Sequence, residues 1–133
     1  MSTYTLLKLA AEVYAVPVGR VLEAARLGEV TAVPGARREI LGVRNLHRQI
    51  LPIIDLALIL GVRAAAPTRL LVAEADGVTA GLAVGDICAV SELTDPIAEQ
   101  EPGFLLGTML HEGSLIGIID VPAIFGWLRQ AVP

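Results

Sequence analysis

Short apolar runs separated by turn residues dominate the chain, and they predict a protein built from β-strands. The run Ile50–Ile54 is apolar almost throughout, which is typical of a strand that is buried on both faces. The other apolar runs are shorter or alternate in part with polar residues. The remaining predicted strands are Thr3–Leu9, Val13–Val18, Val21–Ala25, Val30–Val33, Ile40–Leu46, Arg69–Glu74, Val78–Val84, Ile87–Leu93, Leu105–Leu110 and Leu115–Ile119.

Two dipeptides that end in glycine interrupt these runs and predict β-hairpins. Asp76-Gly77 separates two predicted strands, and Glu112-Gly113 separates two more. Glycine readily adopts the positive φ that a tight two-residue turn requires. We therefore expect the strands on either side of each turn to pair in antiparallel fashion.

Two aspartates that follow apolar strands are expected to begin helices. Asp55 precedes Leu56–Leu60, and Asp120 precedes Val121–Gln130. An aspartate at this position accepts a hydrogen bond from a free backbone N–H of the first turn, and Gly61 would end the first helix. Catalytic carboxylates are the alternative interpretation, but the apolar turn that follows each aspartate favours capping.

The chain repeats itself at a spacing of 65 to 66 residues. Ile53-Ile54-Asp55-Leu56 matches Ile118-Ile119-Asp120-Val121, and Gly42 matches Gly107. The same order of strands, hairpin and capped turn recurs in both halves, which implies two similar units. Strands this short predict an all-β fold of two small barrels packed together, with a short C-terminal helix. The length predicts one domain, residues 1–133, in which the two barrels are either adjacent or intertwined.

Composition excludes several classes of protein. Hydrophobic residues make up 54% of the 133 residues and charged residues 18%, which excludes intrinsic disorder and predicts apolar surface left over for a partner. The single cysteine, Cys88, excludes a disulfide framework and a cysteine-based zinc site. The N-terminus lacks a signal-peptide pattern, and the longest apolar stretch, Ile50–Leu60, is far shorter than the ~20 residues that a membrane helix needs. We therefore expect a cytoplasmic protein without membrane insertion.

The two halves of the chain carry opposite charge. Residues 1–66 hold eight basic and five acidic side chains, whereas residues 67–133 hold two basic and nine acidic ones. The net charge of −4 opposes nucleic-acid binding, and the opposite halves favour weak head-to-tail self-association. Nucleic-acid binding, a protein-contact face and a solvated loop are the three interpretations of one basic cluster, and the absence of interleaved aromatic residues favours the protein-contact face over nucleic acid. Its members are Arg37, Arg38, Arg44, His47 and Arg48.

No motif for catalysis or for cofactor binding occurs in the sequence. The chain lacks a phosphate-binding glycine loop, a nucleophile elbow and a zinc-protease motif. His47, His111 and Cys88 could supply metal ligands, but no two of them have the close spacing of a ligand pair. Cys88 lies in a strand pattern, where a cysteine is typically an inert small apolar residue. We predict no catalytic residue, no metal ligand and no cofactor.

The segment Gly42–Leu56, with the sequence GVRNLHRQILPIIDL, resembles the signature of the CheW-like domain family. Members of this family couple receptors to a histidine kinase in bacterial chemosensory arrays. Other parts of the chain are similar to the family in the same order, so that the resemblance extends over residues 3–128. These parts are Tyr14–Val18, Val21–Glu23, Val30–Pro34 and Phe104–Asp120.

The resemblance implies two five-stranded SH3-like β-barrels with an apolar groove between them. It implies a non-catalytic adaptor in chemotaxis or motility signalling, located at membrane-associated receptor arrays. The implied partners are the regulatory domain of a CheA-type histidine kinase and the cytoplasmic tip of a methyl-accepting chemoreceptor. The receptor would bind as a helix in the groove, and the kinase would bind barrel end to barrel end.

The resemblance also implies a set of partner-binding residues. These are Val21, Glu23, Gly42, Asn45, Leu46, His47 and Arg48. Where the family usually has Arg-Gly, this chain has His47-Arg48, and histidine offers fewer donors than arginine. Replacement of the glycine removes a residue that tolerates positive φ, so we expect a reshaped turn and an altered contact. A degenerate family member that keeps only one partner, and a small-molecule-binding barrel, are the alternative functions.

Overall fold

The computed structural model describes residues 2–94, 96–98 and 103–131. Within these ranges the chain forms eleven strands, two α-helices and one short 3-10 turn, Val18–Arg20. The strands are β1 Ser2–Leu9, β2 Glu12–Pro17, β3 Val21–Arg26, β4 Ile40–Leu46, β5 Gln49–Asp55, β6 Arg69–Ala75, β7 Val78–Val84, β8 Asp86–Leu93, β9 Ile97–Ala98, β10 Leu105–His111 and β11 Ser114–Ile119. The helices are α1 Leu56–Leu60 and α2 Val121–Ala131.

The strands form two sheets that share one internal order. The first sheet runs β8-β1-β2-β11-β10-β9, and the second runs β3-β6-β7-β5-β4. Each sheet takes one hairpin from one half of the chain and its other strands from the other half, four in the first sheet and three in the second. The parallel pairs β2–β11 and β5–β7 join the two sets. The all-β architecture of two units with a C-terminal helix is confirmed, and the two-residue strand β9 is an addition to the five expected strands of the first unit.

Both predicted hairpin turns are present. Asp76 and Gly77 adopt φ angles of 51° and 77°, and they join the antiparallel strands β6 and β7. Glu112 and Gly113 adopt φ angles of 50° and 80°, and they join β10 and β11. Positive φ at both central residues is the conformation whose twist matches that of the flanking strands.

The capping interpretation of the two aspartates is also confirmed. Asp55 Oδ1 accepts a hydrogen bond from the backbone N–H of Leu58 at 3.3 Å, and Asp120 Oδ1 accepts one from Ala123 at 3.1 Å. Gly61 ends α1 in the left-handed conformation with φ 71°. Since both carboxylates serve the backbone of the helices that follow them, their place in the repeat has a structural explanation.

The prediction of a strand over Val30–Val33 is wrong. Only Thr31 pairs, through an isolated bridge to Val43 of β4. The chain then turns away, and the N–H of Ala36 donates to the carbonyl of Val33 at 3.2 Å. The loop passes close to β4 at this bridge, since a Cβ on Gly42 would lie 2.1 Å from the carbonyl oxygen of Thr31.

Three apolar clusters hold the fold together. One lies within each sheet, and the largest lies between the sheets and includes both helices. Leu51 and Ile53 of β5 belong to the cluster of the second sheet, whereas Ile54 belongs to the central cluster. The predicted burial of this strand on both faces is therefore confirmed, although Ile50 at its start is 60% exposed.

Candidate partner-binding surface

Two side-chain contacts join the outer strands of the second sheet. Arg44 Nη1 of β4 donates a hydrogen bond to the carbonyl oxygen of Arg26 at the end of β3, at 2.8 Å. His47 Nε2, in the turn after β4, lies 2.9 Å from Glu23 Oε1 of β3. Since β3 and β4 stand at opposite ends of the sheet order, these contacts require the sheet to curl until its edges meet, as the edges of a barrel do.

The turn that contains His47 and Arg48 keeps a standard two-residue geometry. Leu46 pairs with Gln49 across it, and His47 and Arg48 adopt φ angles of 50° and 63°. These values are close to the 50° and 80° of the repeat-related Glu112 and Gly113. The structure therefore does not show the reshaping that the missing glycine predicted. The chain instead holds an arginine in a conformation that costs a residue with a Cβ about 1 kcal/mol.

The Glu23–His47 contact is open to solvent. The side chain of His47 is 72% exposed and that of Glu23 is 38% exposed. A pair this accessible contributes less than about 1 kcal/mol to stability, so its main effect is to orient the two side chains. Histidine has only two ring nitrogens, whereas arginine has five N–H donors, so this chain offers a partner fewer hydrogen bonds here than an arginine would.

The seven predicted site residues divide into two groups. Val21, Gly42 and Leu46 serve the fold: Val21 packs against the central cluster, Leu46 packs against the cluster of the second sheet, and Gly42 admits the backbone of the preceding loop. The other four present side chains at the same end of the second sheet. These are the exposed Asn45, His47 and Arg48, and the partly exposed Glu23.

Two exposed apolar side chains at this end were not predicted as site residues. Leu22 of β3 is 57% exposed, and Ile50 of β5, which pairs with Asn45, is 60% exposed. Both lie within strand patterns that suggest burial, and only the position of each residue in its sheet shows that it faces water. We call the set of Leu22, Glu23, Asn45, His47, Arg48 and Ile50 the basic hairpin surface. It combines an arginine and a histidine with exposed apolar groups, which is typical of a protein-contact surface.

The equivalent end of the first sheet has a different chemistry. Leu110 and Leu115 pair across β10 and β11 and are 69% and 71% exposed. The turn between these strands carries Glu112, which lies 3.9 Å from the Nε2 of His111. This hairpin is therefore apolar and acidic, whereas the hairpin of the second sheet is basic.

Among the described residues, Tyr14 is the one titratable group whose pKa is strongly shifted. Burial raises the pKa of the Tyr14 phenol above its usual value, and a 2.6 Å hydrogen bond that the phenol donates to Glu12 Oε2 raises the pKa further. The ring lies over Gly117 of β11, where a Cβ would lie 2.9 Å from Tyr14 Cδ1. Tyr14 therefore stays neutral and packs against the neighbouring strand.

The described part of the chain contains no cluster of three or more His, Cys, Asp or Glu side chains that could hold a metal ion. Cys88 is exposed on β8. Among the helices within the described ranges, none is long and apolar enough to cross a membrane.

Comparison with known proteins adds to this geometry. The model of the CheW-like domain matches residues 3–129. The chain belongs to this family. Two relatives are Chemotaxis protein CheW of Rhizobium meliloti (strain 1021), at 34% identity, and Probable chemotaxis protein CheW of Rhizobium etli, at 33%. Each alignment covers 71% of this chain and 68% of the relative.

Among solved structures, the scaffolding protein TtCheW from Thermoanaerobacter tengcongensis has a similar fold. The TM-score is 0.83, and the match covers 90% of this chain and 89% of that chain at 24% sequence identity. The resemblance first drawn from Gly42–Leu56 is thus confirmed as family membership. Membership of this family supports a chemotaxis coupling adaptor that is not an enzyme. The partner-binding residues stay predictions.

Proposed function

We propose that the protein couples chemoreceptors to a CheA-type histidine kinase by binding both without chemical turnover. It would do so in the cytoplasm, at membrane-associated receptor arrays. Family membership supports the adaptor role, and the observation that carries the choice of surface is the joint exposure of Glu23, His47 and Arg48 at one end of the second sheet. Charged groups at such an end steer a partner, while exposed apolar groups beside them contribute affinity.

The regulatory domain of the kinase is the partner that we assign to the basic hairpin surface. Ile50 and Leu22 supply apolar area, and Arg48 supplies a charge that no residue among those described pairs with. The strained backbone at Arg48 supports a functional role, because a glycine would satisfy the same turn at lower conformational cost. The kinase domain would therefore meet this barrel at its end.

The receptor tip is assigned to the junction of the two sheets, as a helix in an apolar groove. The 3-10 turn Val18–Arg20 links β2 of the first sheet to β3 of the second. Val18 in this link is 42% exposed, although it is a large apolar residue. An amphipathic helix that covers it would bury apolar surface from both barrels at once.

Two separate calorimetric titrations test this proposal, one with the cognate kinase's regulatory domain and one with a receptor-tip fragment. We expect saturable binding of both by the unmodified protein. The double variant His47→Arg/Arg48→Gly, which restores the family turn, is the matched comparison. Absence of binding to both partners, before and after this restoration, would contradict the adaptor role.

A degenerate adaptor that keeps only the receptor is the second candidate, and His47-Arg48 favours it. In that case the kinase domain would bind only after the double substitution, whereas the receptor fragment would bind equally well before and after. Kinase binding by the unmodified protein would exclude this alternative.

A further inference from the structure

An apolar cavity opens beside the loop that joins β3 to β4. Its volume is about 250 Å³, and the described residues that line it include no charged side chain. Its walls are Val33–Ala36 of the loop, Ile40 and Val43 of β4, Pro52 of β5, and Ala131 of α2. Val33 is 44% exposed at this cavity, so the apolar lining is accessible from outside. A cavity with such walls accepts an apolar side chain better than a polar one.

A second cavity, of about 400 Å³, adjoins the same loop at Arg38. The rest of its lining comes from Asp55, from α1 and from the segment that follows α1, which supplies a second arginine, Arg63. Among the described residues, neither guanidinium makes a hydrogen bond or an ion pair. Asp55 also lines this cavity, but it already accepts the N–H of Leu58 at 3.3 Å as the cap of α1. The cavity therefore holds two cations against one carboxylate that is already engaged.

The loop is fixed to the strand that both cavities share. The N–H of Asp55 donates to the carbonyl of Glu39 at 2.8 Å, and the N–H of Ile40 donates to that of Arg37 at 2.9 Å. The cavities adjoin where the loop enters β4, because Ile40 lines the apolar cavity and Arg38 lines the arginine-lined one. Two residues of chain span at most about 7 Å.

We propose that this loop surface docks an acidic segment of a partner protein that carries one apolar side chain. The apolar side chain would enter the first cavity, and carboxylates further along the same segment would meet Arg38 and Arg63. Apolar burial supplies affinity, and the charge-assisted hydrogen bonds of arginine select an acidic partner. The surface goes beyond the proposed function, because it contains no residue of the basic hairpin surface.

The surface can be tested with synthetic peptides and the ¹⁵N-labelled protein by NMR. The probe is the peptide Ser-Leu-Ser-Ser-Asp-Glu, in which two serines separate the leucine from the first carboxylate. We expect saturable shifts confined to the amides of residues 33, 35–40, 53–55 and 61–65. Two control peptides replace Leu by Ser, or Asp-Glu by Lys-Lys. Each should bind at least about tenfold more weakly, which corresponds to about 1.4 kcal/mol.

Charge reversal on the protein provides the second arm. Arg38→Glu with Arg63→Glu should weaken binding of the acidic peptide at least about tenfold. Lys8→Glu with Arg26→Glu is the matched control on exposed strand positions and should change affinity less than about twofold. Equal loss in both variants, equal binding of the peptide without leucine, shifts centred on His47, or no saturable shift at millimolar peptide would each overturn the proposal.

Discussion

The two long hairpins, β4–β5 and β10–β11, occupy equivalent positions in the repeat but present different surfaces. Gly42 and Gly107 have similar surroundings. A Cβ on Gly42 would lie 2.1 Å from a backbone carbonyl oxygen, and a Cβ on Gly107 would lie 2.2 Å from one. Both turns adopt positive φ at both central residues. The tips nevertheless differ, because one carries His47-Arg48 and the other Glu112-Gly113. The two halves therefore share the glycines and the turn conformation that the backbone geometry requires, whereas the exposed side chains of the two turns differ.

The largest expected effect on stability concerns the two glycines that the hairpins have in common. Gly42→Ala and Gly107→Ala should each destabilise the protein by at least about 3 kcal/mol, because the new methyl group meets backbone atoms that cannot move aside. Urea denaturation of each variant measures the loss. Gly19→Ala is the control, since nothing lies within 4 Å of its Cβ. A Gly107 variant as stable as the parent would show that the equivalence of the two hairpins is only apparent.

A second difference between the sheets concerns Tyr14, whose ring covers Gly117, whereas the equivalent positions in the second sheet hold Ala80 and Pro52. The pKa of Tyr14 is raised in the folded state by burial and by its hydrogen bond to Glu12. Its contribution to stability is therefore complete below the usual phenol pKa of 10.0 and is lost as pH rises above that value.

The loss should approach about 1.4 kcal/mol per pH unit above this point. Urea denaturation between pH 9 and pH 11 measures it, and Tyr14→Phe should remove this component of the pH dependence. An unchanged pH profile in the phenylalanine variant would assign the effect to another group.

The strained turn at Arg48 gives a smaller effect on stability. Arg48→Gly should stabilise the protein by about 1 kcal/mol, because glycine adopts φ 63° without a Cβ clash. Gly113→Arg, at φ 80°, should lose a similar amount. Chemical denaturation of both variants measures this reciprocal change. A destabilised Arg48→Gly protein would mean that the guanidinium makes a contact important to the fold.

The smallest stability effect concerns the exposed leucines of the β10–β11 hairpin. Leu110→Ser with Leu115→Ser should change the free energy of unfolding by less than about 0.5 kcal/mol, since both side chains are already largely in water. The same substitutions should reduce any concentration-dependent self-association in sedimentation velocity runs. A large loss of stability would contradict the assignment of these residues to a free surface.

Local signals in the sequence predicted the local features well. The two turns that end in glycine, the caps at Asp55 and Asp120 and most strands follow from residues within a few positions of each other. The exchange of hairpins between the halves does not, because parallel pairs such as β5–β7 join residues nearly thirty positions apart. The sequence does not predict the Glu23–His47 contact either, since this contact depends on the curl of the sheet.

Exposure was the least predictable property. Leu115 and Ile50 belong to apolar runs that favour burial, yet both point outward at the tip of a hairpin. Val30–Val33 has strand-like residues but no neighbouring strand to pair with beyond Thr31. In each case the residue type is informative about strands, and only the neighbours that the tertiary fold supplies decide burial and pairing.

The most direct test of the account is a calorimetric titration of the cognate kinase's regulatory domain with one matched change in each hairpin. We expect Arg48→Glu to weaken binding at least about fivefold, because it replaces the arginine of the basic hairpin surface by an anion. Leu115→Glu, on the equivalent hairpin, should leave the affinity within about twofold. The opposite result, with loss of binding in Leu115→Glu and none in Arg48→Glu, would contradict the assignment of the kinase to the basic hairpin surface.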